Sequence, residues 1–256
     1  MESPPRTRRD AVVDTLHGVD VPDPYRWLEA GDDPEVQQWV AGQNRRTREA
    51  LDALPDRGYW HERLCAFMTL PVVQAVQVRG DTMVLLERPA GRQQAQLNAR
   101  SLAEPGAEAR VLVDPAAGVD DAAVAVDWFS VSVAGDLAAY GVSEGGSEHS
   151  VLHVVRVGDG ELLDVQIPNC RAASVAWEPD GGGFFYTRYP EGDQYHRTVH
   201  HHRLGTDPAD DPVVWAEHLT PQAWPSVDIS PDGRWLLVHV SVGWGRTDVH
   251  LLDRET

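Results

Sequence analysis

The stretch Gly141-Val142-Ser143-Glu144-Gly145 fits the G-x-S-x-G pattern in which serine hydrolases present their nucleophile. That chemistry needs a strand ending in a strained turn that lifts the hydroxyl, then a helix whose N-terminal N–H groups face the developing oxyanion. Ser143 does follow a strand-like run, "DLAAYGV", but the residues after it, "HSVLHVVRV", again alternate with period two. "SEGGSE" is therefore expected to be a hairpin loop, with Gly145 and Gly146 taking the positive φ of the turn. Asp193 and His200 follow in an order a triad could use, yet acids and histidines are too common for order to assign them. Ser143 is expected to be a surface hairpin residue and not a nucleophile.

Other residue types invite other chemistry. His200, His201 and His202, with His196 nearby, suggest a metal, but on a strand only His200 and His202 share a face. With no acidic or cysteine partner at a convincing spacing, these residues are expected to be half-buried strand histidines. Cys65 is placed on the apolar side of a short helix and Cys170 in a Pro-Asn-Cys-Arg link. Nothing in the sequence supplies either with an activating base, so both are expected to be structural or neutral thiols. The glycine-rich "PDGGGFF" lacks the following helix and the lysine of a phosphate loop, and is expected to be a turn. No catalytic, cofactor-binding or metal-ligating position is assigned, and no cofactor is expected.

Composition narrows the partners. Among 256 residues, 22 basic against 40 acidic side chains give a net charge of −18, which argues against a nucleic-acid partner. Every basic side chain is arginine. Two distant cysteines make no disulfide framework, and the N-terminal "MESPPRTRRDAVVDTLHG" has no apolar leader core. No run approaches the roughly 18 apolar residues of a membrane span. A cytoplasmic, unexported protein without a membrane partner is expected.

Two kinds of element have to position these residues. In "GDDPEVQQWVAGQNRRTREALDAL", Asp33 is a plausible N-cap with Pro34 at the first helical position. Val36, Trp39, Val40, Gln43, Thr47, Leu51 and Leu54 then recur at helical spacing. Pro55 stops this helix, and "YWHERLCAFMTL" makes a second one that ends before Pro71. From Val72 the period changes to two, starting with strands joined at Gly80-Asp81. Strand, glycine turn and strand then repeat in "VDWFSVSVAGDLAAYGV", "ASVAWEPDGGGFFYTRY" and "PSVDISPDGRWLLVHVS", whose turn glycines Gly135, Gly181 and Gly233 lie 46 and 52 residues apart. Such periods belong to four-stranded propeller blades. The last unit has only three recognisable strands before "LLDRET", so the chain reads as a fragment of a ring.

The segment "HGVDVPDPYRWLEAGDDPEVQQWVAGQN" resembles the N-terminal signature of prolyl oligopeptidases, through Asp23-Pro24-Tyr25-Arg26-Trp27-Leu28-Glu29, Trp39 and Gln43-Asn44. "VLVDP", "YGVSEGGSEHS", "VAWEPDGGGFFYTRYP", "HRLGT" with Asp210 or Asp211 after it, and "SPDGRWLLV" follow in the family's order, from Leu16 to Asp253. His149 departs from the aromatic usual at its position. The resemblance implies a mainly β fold: an α-helical segment over 1–70, then about four of seven propeller blades over 71–256. The family's α/β-hydrolase domain, with its serine, aspartate and histidine, has no counterpart in these motifs. It also implies a post-proline serine peptidase whose propeller admits only short proline-containing peptides. The stripe of Val36, Trp39, Val40 and Leu51 would then dock on the hydrolase domain, unless it packs on the chain's own propeller. The competing expectation is an independent propeller-like binding module.

Overall fold

The computed structural model describes residues 6–117, 124–217 and 219–255, and falls into two units that meet between Met68 and Thr69. Part of the N-terminal stretch, Met1 to Pro5, and the final Thr256 lie outside the described residues.

The first unit opens with a hairpin that the helical reading of 1–70 did not contain. Strands β1 (Val13–Leu16) and β2 (Val19–Pro22) pair antiparallel across His17 and Gly18, whose φ values of 53° and 81° make the two-residue turn that suits strand twist. A 3-10 turn at Arg26–Glu29 follows. Helix α1 (Pro34–Asp52) starts as its sequence dictates, with the Asp33 carboxylate accepting from the Glu35 N–H at 2.7 Å. Helix α2 (Arg57–Met68) follows.

The signature residues hold this unit together. Arg26 donates to Asp23 at 2.6 Å and also pairs with Asp14 on β1, which ties the 3-10 turn to the hairpin. Trp27 meets Trp39 edge-on at 6.4 Å, and the Trp39 indole donates to Thr7 at 3.0 Å. The stripe of α1 therefore divides. Val36 is buried and Trp39 half-buried within the unit, while Val40, Leu51 and Leu54 stay exposed.

The second unit consists of four antiparallel sheets in chain order. Blade 1 is β3 (Val72–Arg79), β4 (Thr82–Arg88), β5 (Gln96–Ser101) and β6 (Arg110–Val113). Blade 2 is β7 (Val124–Val131), β8 (Leu137–Glu144), β9 (Val151–Arg156) and β10 (Leu162–Ile167). Blade 3 is β11 (Val175–Trp177), β12 (Gly183–Arg188), β13 (Thr198–Arg203) and β14 (Val213–Trp215). Blade 4 has three described strands, β15 (Trp224–Ile229), β16 (Trp235–Val242) and β17 (Arg246–Asp253).

Gly135, Gly181 and Gly233 sit at the first turn of blades 2 to 4 with φ of 79°, 71° and 76°, the left-handed region that side chains avoid. Alternation then does the packing, since each strand turns one set of side chains to each neighbouring blade. Val84, Leu97, Val131, Ala138 and Val155 close the seam between blades 1 and 2. Leu152, Ile167, Trp177, Phe184 and Tyr186 fill the second seam, and Phe185, Val199, Val227, Leu236 and Val238 the third. Burial of each large side chain contributes about 1.5–3 kcal/mol, so three continuous seams dominate the stability of the array.

Candidate functional site

Ser143 lies near the end of β8, where Gly145 and Gly146, at φ of 60° and 71°, turn the chain back towards β9. A strand follows this turn, so no helix dipole is aimed at the hydroxyl. Ser143 is, however, 3% exposed, which corrects the expectation of a surface serine. The facing strand β7 carries a bulge beside it: the register shifts between Val126 and Trp128, and the extra residue is Asp127. Its carboxylate accepts from Ser143 Oγ at 3.1 Å and from the buried Ser150 Oγ at 2.6 Å. Asp127 thus staples β8 to the entry of β9. The hydroxyl is spent on a carboxylate that holds it in place, and no imidazole takes its proton.

The residues that could have completed a triad are each engaged elsewhere. Asp193 pairs with His196 at 2.7 Å within its own loop. His200 shares a 3.0 Å contact with Thr198 Oγ and stacks on Tyr186. Burial, and after it the charge of Arg188, hold the His200 imidazole below its ordinary range.

The histidine run is built by register. His200, His201 and His202 stand directly opposite Tyr186, Phe185 and Phe184, and each imidazole lies against its aromatic partner. His202 is fully buried, and its Nδ1 lies 2.9 Å from Asp211, which also accepts from the Tyr186 hydroxyl at 2.8 Å. Sequence spacing points to no acidic partner for these histidines; His202 has one in Asp211, nine residues on, and His201 Nε2 lies 3.4 Å from the Glu178 carboxylate. Burial first, and the Asp211 carboxylate second, push the Tyr186 phenol far up. This cluster fastens the segment before β14 to the face of blade 3. Among the described residues no group of three His, Cys, Asp or Glu side chains converges to hold a metal ion.

The cysteines differ from expectation at one position. Cys170 is fully buried, and burial pushes its thiol up to about 12, which removes the thiolate that a nucleophile needs. Cys65 is not on an apolar face. Helix α2 has no buried residue, and Sγ lies exposed at 3.8 Å from the ring nitrogens of His61, one turn earlier. The helical i,i+4 spacing places this imidazole beside the thiol, a neighbour that the sequence reading missed. The Gly181-Gly182-Gly183 run is a hairpin tip, closed by Glu178 N–H to Gly183 O at 2.9 Å and by Gly182 N–H to the Asp180 carboxylate at 2.9 Å.

Two further features stand out, and only Leu51 and Leu54 of the second carry a signal in the sequence. Arg197 is 1% exposed, its guanidinium lying 4.4 Å over Trp224 and donating to Ala172 O at 2.6 Å. In the first unit, Leu51, Leu54, Pro55, Trp60, His61 and Leu64 line an open apolar groove of about 520 Å³. His149 is exposed, its N–H donating to Ser147 Oγ at 3.3 Å.

Comparison with known proteins bears on this arrangement. Prolyl oligopeptidase A of Amanita bisporigera is 27% identical over 92% of the chain, and prolyl oligopeptidase ophP of Omphalotus olearius is 30% identical over 88%. The alignments cover 36% and 34% of those proteins, so the chain spans about a third of the length of the curated relatives it matches. A solved structure from an analysis of two prolyl endopeptidases and their inter-domain dynamics superposes with a TM-score of 0.87 at 33% identity, covering 99% of this chain and 38% of that one. The family model for the prolyl oligopeptidase N-terminal β-propeller domain matches residues 4–256, and the chain belongs to that family as this propeller region.

Proposed function

We propose that this chain is the propeller-side part of a serine endopeptidase that cleaves short proline-containing peptides after proline. In that enzyme it screens substrates by size and supplies a docking face to an α/β-hydrolase domain. The observation that carries this reading is the blade array itself, with the family's motifs in place while Ser143 is tied to Asp127. The reaction is acyl transfer from peptide to serine and then to water, with histidine as general base and aspartate orienting it. Those three groups belong to the hydrolase domain in this reading, which gives none of the described residues a part in the bond-breaking step.

The exposed groove of Leu51, Leu54, Trp60 and Leu64 supports the docking role, because a free apolar surface of this kind is a common mark of an interaction site. The division into a helical segment over 1–70 and a propeller over 71–256 belongs to the same reading. So does a cytoplasmic location, supported by the free cysteines; among the described residues no helix is long and apolar enough to cross a membrane. Acidic net charge supports the absence of a nucleic-acid partner.

The test is direct. The purified chain is expected to leave a fluorogenic post-proline peptide uncut, since the nucleophile and base belong to the hydrolase domain, as does the oxyanion hole that sustains the residual rates seen in damaged triads. Turnover that survives repurification and is blocked by a serine-directed phosphonate overturns the reading. An in-frame continuation of the gene encoding further blades and a serine elbow is the expected genomic counterpart.

A further inference from the structure

The first strands of the four blades, β3, β7, β11 and β15, share no backbone ladder with one another. Each is a sheet edge, and its outward N–H and C=O groups need partners from elsewhere. At each of the three seams a side chain of the preceding blade bonds to this edge, to a C=O every time and to an N–H at two of them. Gln77 of β3 lays its carboxamide on β7: Nε2 donates to Phe129 O at 3.1 Å, and Oε1 accepts from the Val131 N–H at 2.9 Å. Groups two residues apart on an edge are those that one residue of a neighbouring parallel strand engages, so the carboxamide stands in for that residue's N–H and C=O. Ser174, just before β11, bonds to both backbone groups of one residue on β15, its Oγ accepting from the Val227 N–H at 3.0 Å and donating to Val227 O at 3.3 Å. At the seam between them, Ser130 Oγ donates to Val175 O at 3.3 Å, and the Trp177 indole donates back to Ser130 O at 3.1 Å.

The three receiving carbonyls occupy one structural position. Phe129, Val175 and Val227 each lie six residues before the turn glycine of their blade, Gly135, Gly181 or Gly233. Donor identity varies while the acceptor level does not, which distinguishes these bonds from incidental polar contacts. We propose that Gln77, Ser130 and Ser174 are seam latches: each clamps its blade to the next at one fixed level of the first strands, so that blades 1 to 4 move as one body. The apolar seams favour contact without fixing register along it, and the latches fix register. This inference concerns mechanics and stands independently of the peptidase reading.

Amide hydrogen exchange on the full-length protein tests it at single residues. Gln77→Ala is expected to speed exchange of the Val131 amide by roughly tenfold or more while the Val227 amide stays within about twofold of the parent. Ser174→Ala is expected to do the reverse. Gln77→Met keeps the length of the side chain without its hydrogen bonds, and carries the same expectation if the alanine variant fails to fold. The latch reading is overturned if Val131 is unaffected, if both amides accelerate together in either variant, or if both are already unprotected in the parent.

Discussion

Ser143 donates to Asp127 from a buried position, and this separates two properties that a catalytic serine would join. In a complete peptidase, Ser143→Ala is expected to leave kcat/KM nearly unchanged and to cost about 1 kcal/mol of stability, the usual worth of such a bond. Ser150 still serves Asp127, so the carboxylate is not stranded. Peptidase assay and urea titration on one preparation check both halves; a rate loss of ~10³-fold in a folded variant would show a working elbow. A second residue-scale expectation concerns pH. His153 and His200 are half-buried, and burial holds both imidazoles below the ordinary value. The unfolded chain therefore binds more protons as pH falls through about 6.5, and stability falls with it until the folded groups also protonate. Above that window their contribution is full. The urea midpoint is expected to drop on acidification from pH 7 to 5, by less in His200→Gln; an unchanged pH slope in that variant would remove His200 from the account.

At the scale of elements, one glycine shows how closely adjacent side chains fit within a blade. A Cβ on Gly141 of β8 would stand 2.3 Å from Trp128 Nε1, the atom that donates to Cys170 O at 3.1 Å across to the link before blade 3. Gly141→Ala must displace the indole, so overpacking and a lost hydrogen bond together are expected to cost about 2–4 kcal/mol. Trp128 fluorescence and thermal unfolding report it; a variant within about 0.5 kcal/mol of the parent would mean that the indole has room to move. Much at this scale was legible in sequence. The N-cap at Asp33, the stop before Pro55, the Gly80-Asp81 hairpin and the repeated turns all rest on local chemistry, and local chemistry is written in adjacent residues. The β1–β2 hairpin was not, because four-residue strands give period-two alternation too little length to register. The pairing of Tyr186 and His202 with Asp211, the bulge at Asp127 and the burial of Arg197 were illegible for another reason. Each is set by residues 9 to 27 positions apart that only the folded sheet brings together.

For the whole molecule, the question is what a sample of these 256 residues does by itself. Repeat arrays bury each unit against its neighbours and need their end faces covered. In blade 1, Val73 and Val76 of β3 are 54% and 49% exposed; in blade 4, Val249 and Leu251 of β17 are both 58% exposed. The outer edge of β17 carries no fourth strand among the described residues, and such an edge can template pairing with another chain. The groove around Trp60 and Leu64 adds apolar surface in the first unit. Against this stands the net charge of −18, which slows aggregation through repulsion but replaces none of the missing contacts. The balance favours association, because hydrophobic faces gain with every Å² covered while surface charge is screened beyond about 8–10 Å at ordinary ionic strength. The isolated chain is therefore expected to self-associate or stay partly molten, to bind a hydrophobic dye, and, on the proposed function, to gain a cooperative transition when an α/β-hydrolase partner is supplied. Sedimentation, dye fluorescence and calorimetry check this together. A monomer at low micromolar concentration that unfolds sharply and reversibly without binding dye would show that four blades suffice, and would turn the reading towards an independent binding module.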